Sequence, residues 1–188
     1  CYLRDADSGE FWSTAHQPTL SPSKTYEVIF SEGRAEFRRR DHEIDTHTEI
    51  VVSPEDDIEL RRIRLTNCSG TKRTIDLTSY AEVVLALPAA DALHPAFSNL
   101  FVQTEILREQ RAILCTRRPR SQGEQPPSML HLMAIHGARV GEVSYETDRL
   151  QFLGRGNSPA NPQAMGGGAD TLSGSQGSVL DPIVAIRS

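Results

Sequence analysis

The sequence predicts an all-β fold of packed antiparallel sheets, and two observations carry that prediction. Apolar and polar residues alternate along most segments, the mark of strands with one buried face. Helical periodicity is nearly absent over the 188 residues. So many strands bury their apolar faces most simply as two packed sheets.

Taken in order, strands are predicted at 26–30, 35–40 and 44–52. Ile58-Glu-Leu-Arg-Arg-Ile-Arg-Leu-Thr follows, but its apolar phase slips between Arg61 and Arg62, and a bulge there would return both halves to one face. Asn67-Cys-Ser-Gly-Thr-Lys carries hairpin-turn chemistry toward the next strand. The clearest alternation is Arg73–Leu87, where Ile75, Leu77, Ser79, Ala81 and Val83 share one face. Val84 and Ala86 make its far end apolar on both sides, as in a strand held between layers. Short helical turns are predicted at 92–99, with Pro95 suited to a first turn, and at 148–153. Between and before them lie strands at 100–107, 111–117, 129–136 and 142–147, and Arg117–Ser128 is a long polar connection. From Gly154 to about 178 the chain turns rich in Gly, Ser, Asn and Pro, a loop-like segment within a single domain spanning 1–188.

Composition narrows the function classes. With 38% hydrophobic and 24% charged residues the chain is an ordinary globular sequence. A net charge of −5 with 6% aromatics argues against nucleic acid or an anionic membrane held by bulk electrostatics. No run approaches the roughly 18 apolar residues of a membrane helix. Arg38-Arg39-Arg40, Arg61-Arg62 and Arg117-Arg118-Pro-Arg120 are interspersed with acids and read as solvated strand faces and loop ends. Cys1, Cys68 and Cys115 lack metal spacing and fit reduced thiols, and a first residue other than Met suggests a processed chain or an excised fragment. The histidine pairs 42/47 and 131/136 lie five apart and so face opposite sides of a strand, and no metal site or cofactor is expected. Gly166-Gly-Gly lacks the strand–helix context of a phosphate-binding loop.

Two places hold chemistry worth weighing. Trp12, the lone tryptophan, sits among polar residues; it is either a platform for a sugar face or a core tryptophan, and burial is the commoner fate. Tyr145-Glu-Thr-Asp-Arg-Leu-Gln-Phe-Leu-Gly-Arg-Gly is the other. Thr147 and Asp148 suit helix capping, and the forks of Arg149 and Arg155 suit carboxylates, phosphates or vicinal hydroxyls. An Asp148–Arg149 or Glu146–Arg155 ion pair that merely fixes the loop carries equal weight locally.

Several segments together resemble a known family. They include Tyr2-Leu-Arg-Asp-Ala-Asp-Ser-Gly-Glu-Phe-Trp-Ser, Leu77-Thr-Ser-Tyr-Ala-Glu-Val, His94-Pro-Ala-Phe-Ser-Asn-Leu-Phe-Val-Gln-Thr-Glu, Arg117-Arg-Pro-Arg-Ser, Tyr145-Glu-Thr-Asp-Arg and Phe152-Leu-Gly-Arg-Gly. In this order they resemble glycoside hydrolase family 94, closer to its cyclic β-1,2-glucan synthases than to its cellobiose- and chitobiose-type phosphorylases. The resemblance implies an antiparallel β-supersandwich like galactose mutarotase, as an incomplete copy, that is non-catalytic by itself. It implies an (α/α)6-barrel catalytic domain in the same polypeptide, a β-glucan or oligosaccharide ligand, a possible homodimer, and a place at the cytoplasmic face of an inner membrane, as part of a larger membrane protein, or in the cytoplasm. Within it, Arg149 and Arg155 are the expected contacts to glucan hydroxyls or the partner domain, oriented by Asp148. Two competing functions are a purely structural docking domain and a mutarotase-like enzyme using His94 and Glu105.

Overall fold

The computed structural model describes residues 1–166 and 171–188, so positions 167–170 of the expected 154–178 loop, including Gly167 and Gly168, lie outside the described residues. The chain is mostly antiparallel β-sheet with a few short helices, and it divides into two compact units, Cys1–Asp76 and Leu77–Ser188.

The first unit opens with a hairpin absent from the sequence prediction. Its strands are β1 (Tyr2–Asp5) and β2 (Phe11–Ser13), with Leu3 opposite Trp12. A meander of four strands follows: β3 (Thr25–Ser31), β4 (Arg34–Asp41), β5 (Ile44–Val52) and β6 (Glu59–Asn67). The β4–β5 link is two residues, His42 and Glu43, with φ of 45° and 66°. Left-handed values at both positions match the twist of the flanking strands, which is why so short a turn closes here. The pairing of β5 with β6 runs from Ile44–Asn67 to Val52–Glu59 without a shift. The bulge expected at Arg61–Arg62 is therefore absent. Nearly every residue of β6 is exposed, so no buried face penalises the slipped phase. Nor does β6 form a hairpin with the next strand; Asn67 instead closes a local turn, its Oδ1 accepting from the Ser69 amide at 2.9 Å. Arg39, expected in solvent, is buried at 3% exposure and donates to both oxygens of Asp41 at 2.6 and 2.7 Å. That fork lets a guanidinium leave water without losing its counter-charge.

The predicted strand 73–87 is divided. Its parts are β7 (Ile75–Thr78), which crosses the boundary between the units, and β8 (Ala81–Glu82). Both keep one register against β13 (Pro182–Arg187), Thr78 opposite Arg187 and Ala81 opposite Val184. Ser79 interrupts them because its hydroxyl takes the ladder's place: the Ile186 amide donates to Ser79 Oγ at 3.1 Å. Beyond Val83 the strand stops; Leu85 has φ 49° and Leu87 is 77% exposed, so the far end is not held between layers. Two short helices follow, α1 (Pro88–Leu93) and α2 (Pro95–Asn99), the latter with Pro95 in its first turn as expected.

Strands β9 (Val102–Leu107), β10 (Ala112–Arg117) and β11 (Met129–Leu132) form a second sheet of this unit. β12 (Ser144–Asp148) pairs with β13 and shifts register between Glu146 and Asp148. It runs into α3 (Arg149–Leu153), and Gln163–Met165 adds a single 3₁₀ turn. The two sheets share one core: Val102, Ile113 and Cys115 from one face pack with Val83, Tyr145, Val184 and Ile186 from the other. Burial pushes the Cys115 thiol up to about 12, and all three cysteines are unbonded. Among the described residues no helix is long and apolar enough to cross a membrane.

Candidate functional site

The β12–α3 corner gathers polar groups from four elements of the second unit. Asp148, extended at φ −105°, ends the strand and caps the helix, its Oδ1 accepting from the Leu150 amide at 2.8 Å. The cap starts α3 one residue later and turns Arg149 outward. The Arg149 amide donates to the Asp181 carbonyl at 3.0 Å, and its Nε donates to Glu82 Oε1 at 3.0 Å. A longer ion pair of 3.6 Å joins its guanidinium to Asp181. Asn99 Nδ2 donates to the other Asp181 oxygen at 3.2 Å, and Tyr80 Oη donates to Glu82 Oε1 at 3.0 Å. The Tyr80 ring lies 4.9 Å from that of Phe152, which is fully buried and anchors α3.

The electrostatics follow from this crowding. Burial raises the Asp181 carboxyl above the usual range, and Glu82 and Asp148 push the same way against the pull of Arg149. Desolvation, then the neighbouring Glu82 carboxylate, holds the Tyr80 phenol well above its ordinary value. Burial works to lower Arg149, but its bonds to Glu82 and Tyr80 outweigh it and raise the group. A guanidinium, two carboxylates, a carboxamide and a phenol are thus presented side by side, with Arg149 34% exposed. Such a set offers both donors and acceptors, and a protonated phenol, to a polyhydroxylated ligand.

Neither ion pair weighed from the sequence forms. Asp148 serves the helix, while Glu82 and Asp181, distant in sequence, hold Arg149. Glu146 is buried at 2% exposure and is spent on a loop. Its carboxylate accepts from Ser173 Oγ at 2.6 Å, from Ser175 Oγ, and from the amides of Thr147 and Asp148 at 2.9 and 3.0 Å. Thr147 Oγ1 adds a bond to the Ser175 carbonyl at 2.9 Å. Arg155 is exposed between Gly154 and Gly156, and no hydrogen bond or ion pair to a described residue reaches it. Trp12 follows the core reading: it is 1% exposed in the first unit, with its ring 5.1 Å from His42, so it offers no platform. His94 sits at the junction of α1 and α2 and Glu105 midway along β9; no bond between them occurs among the described residues.

The structure also assembles a cluster the sequence spacing missed. On the first unit's sheet, cross-strand register lines up Glu27, Arg38, His47 and Arg64 in one row. Glu36, His47 and Glu49 bring ligand atoms within 4.8 Å of one another. Three arginines already serve those carboxylates, with Arg38–Glu36 at 3.0 Å, Arg34–Glu36 at 2.7 Å and Arg62–Glu49 at 2.5 Å. His47 holds Glu36 below the ordinary carboxylate range, and Arg62 does the same for Glu49. With the acids paired to guanidiniums, the cluster reads as an ion-pair lattice and not a cation site. The signal was present as Glu36-x-Arg38 opposite His47-x-Glu49, but only register reveals it.

These features define a mostly antiparallel β module with an open polar corner at Arg149. The chain belongs to the supersandwich domain family of glycosyl hydrolase 94, whose model matches residues 1–188. It is 39% identical over 186 residues to the cyclic beta-(1,2)-glucan synthase NdvB of Rhizobium meliloti (strain 1021), covering 99% of this chain and 6% of that protein. It is 27% identical over 168 residues to a solabiose phosphorylase of Paenibacillus borealis, covering 89% of this chain and 21% of that one. A 3-O-beta-D-glucopyranosyl-beta-D-glucuronide phosphorylase of the same organism is 32% identical over 76 residues, 40% of this chain and 10% of its own length. The chain thus corresponds to a small part of much longer relatives.

Proposed function

We propose that this chain is a non-catalytic, carbohydrate-contacting domain of a glucan synthase or glycan phosphorylase, and that its β12–α3 corner lines the sugar-accepting side of the active site. The observation that carries the reading is the Arg149 corner, where Glu82 and Asp181 pair with one partly exposed guanidinium while Tyr80 and Asn99 donate to those same two carboxylates. Sugar hydroxyls donate and accept at once, so a fixed alternation of forked donors and acceptors suits them better than a lone charge does. Arg155, on its glycine-flanked loop, is the second contact, and Asp148 acts through the helix it caps. An (α/α)6 barrel elsewhere in the parent polypeptide supplies the catalytic acid, and the parent resides at the cytoplasmic face of an inner membrane.

The test is calorimetric titration of β-1,2-gluco-oligosaccharides into the full-length parent. Arg149→Ala is expected to weaken binding about tenfold, the loss of one charge-assisted bond set of about 1.4 kcal/mol. Arg34→Ala, on the first unit's sheet, is expected to leave it unchanged. Absence of oligosaccharide binding by the wild type, or equal affinity in Arg149→Ala, removes the reading.

A further inference from the structure

Two motifs that the Arg149 corner does not use meet at one surface of the second unit. His94-Pro-Ala-Phe-Ser-Asn-Leu-Phe and Arg117-Arg-Pro-Arg lie apart in sequence, yet their arginines stack on their aromatics. Arg120 lies 5.2 Å from the Phe97 ring centre and 4.9 Å from that of Phe101, and Arg117 and Arg118 lie 5.5 and 5.8 Å from Phe101. The frame beneath is tightly bonded. Arg117 is buried and donates to the Ser98 carbonyl at 3.0 Å and to Ser98 Oγ at 3.1 Å. Arg118 donates from its guanidinium to the Leu100 carbonyl and from its amide to that of Phe101, both at 2.8 Å.

The outer side of this frame is bare. Helix α1 has no buried residue and no side-chain cap. Leu87, Leu93, Phe97 and Leu100 stand 77%, 73%, 52% and 43% exposed. A six-residue helix is not stable alone in water and ordinarily owes its existence to a packed face. Aromatic and arginine side chains clustered over an ordered base are enriched at interface centres, and the exposed leucines beside them add apolar area. Among the described residues no ion pair neutralises Arg117, Arg118 or Arg120, whereas most other arginines of the chain have a carboxylate.

We infer that the α1–α2 ledge and its arginine stack form a docking seat for another part of the parent polypeptide, one that presents apolar side chains framed by carboxylates. Charge selects this occupant. A second copy meeting the ledge across a two-fold axis would set like charge against like. A neutral glucan would spread its hydroxyls over a surface made mostly of leucine, phenylalanine and guanidinium, the last donating without accepting. The parent is an available source, since the relatives matched are so much longer than the chain, which spans 6% and 21% of the two with the longest matches.

The full-length parent carrying the photo-crosslinker benzoylphenylalanine at position 97, and separately at the more exposed position 93, tests this by mass spectrometry. Crosslinks to a peptide outside residues 1–188 that contains Asp or Glu are expected from both positions. Arg120→Glu should lower the yield about fivefold while Arg120→Lys retains it, as expected for a partly desolvated charge pair. Crosslinks to a second chain, crosslinks confined to residues 1–188, or none from either position overturn the assignment. An unchanged yield in Arg120→Glu overturns the acidic character of the partner.

Discussion

Gly154→Ala separates backbone strain from packing within the Phe152-Leu-Gly-Arg-Gly loop. Gly154 has φ 81° and ψ 160° at the end of α3, a combination that costs a residue with a Cβ of order 1–3 kcal/mol. Its Cβ would also lie 2.4 Å from Gln163 Oε1, 2.8 Å from Gln163 Cβ and 3.1 Å from Asn157 Nδ2. The Oε1 contact relieves itself by rotation, but Gln163 Cβ moves only with the backbone of the 3₁₀ turn. That turn positions buried Ala164 and Met165, and the Ala164 carbonyl accepts from Arg187. Displacing it adds an overpacking cost of about 1–3 kcal/mol. Gly156, at φ 79°, would place its Cβ within 4 Å of nothing, so Gly156→Ala carries only the left-handed backbone cost, about 1 kcal/mol. At about 2–4 °C per kcal/mol, the combined cost of about 4 kcal/mol at Gly154→Ala should lower Tm by roughly 8–16 °C in thermal unfolding followed by circular dichroism. Gly156→Ala should lower it by roughly 2–4 °C. Equal losses, or a larger loss at Gly156, would refute the assignment of the clash.

Further outcomes follow from named groups. Glu146→Ala should destabilise the protein by about 3 kcal/mol and speed amide exchange at 171–177, while Glu146→Gln keeps part of the network; exchange unaltered in Glu146→Ala would show the clasp is idle. Ser79→Ala leaves the Ile186 amide without its acceptor and should lower the urea midpoint by an amount equivalent to about 1–3 kcal/mol; an unchanged midpoint counts against the hydroxyl's role in the ladder. Glu36 and Glu49 are held below their ordinary value of 4.5 by His47 and Arg62 respectively, and Asp45 below 3.8 by Arg40. Folded carboxyls titrating lower than unfolded ones give stability that is complete above the ordinary values and drains away as pH falls through the folded ones. The urea midpoint followed from pH 6 downward should therefore fall below about pH 4.5; a flat or rising midpoint would contradict the pairing.

Much of the fold was legible because alternation is a local signal. β3, β4, β5, β9 and β10 lie where alternation put them, and α2 and α3 start near Pro95 and Asp148 as their first-turn and capping chemistry indicate. What failed was decided by partners elsewhere. The bulge at Arg61–Arg62 was inferred from a face that β6 does not bury. The single strand 73–87 was cut by one serine whose hydroxyl competes with the backbone of β13. β1 and β2 are too short for periodicity to register, and β13 reads as a plain apolar run. At the site, Arg149 and Asp148 were visible as chemistry, but Glu82, Asp181 and Asn99 enter only through the pairing of β8 with β13 and the placement of α2. Trp12 was ambiguous because the same residue type suits a core and a sugar platform, and only burial decides.

The 145–156 stretch shows how one segment serves structure and surface at once. Tyr145 lies in the core, with the Arg108 guanidinium 5.5 Å from its ring centre, and Glu146 fastens residues 173–175 beneath the corner. Thr147 bonds the Ser175 carbonyl, Asp148 caps and Phe152 anchors the helix, so five of the polar and aromatic side chains serve fixed internal tasks. Arg149 and Arg155 are the charged side chains of the stretch left for anything outside the domain. They differ in kind: Arg149 is braced by two carboxylates, whereas Arg155 is exposed between two glycines with no bond to a described residue. A braced group contributes through preorganisation and loses little entropy on contact, while an unbraced one pays that cost on binding. Arg149→Lys should therefore harm oligosaccharide binding more than Arg155→Lys in the same titration, because a point charge cannot keep the fork's bonds to Glu82 and Asp181 and still face the ligand. Equal sensitivity at the two positions would mean that bracing contributes nothing to recognition.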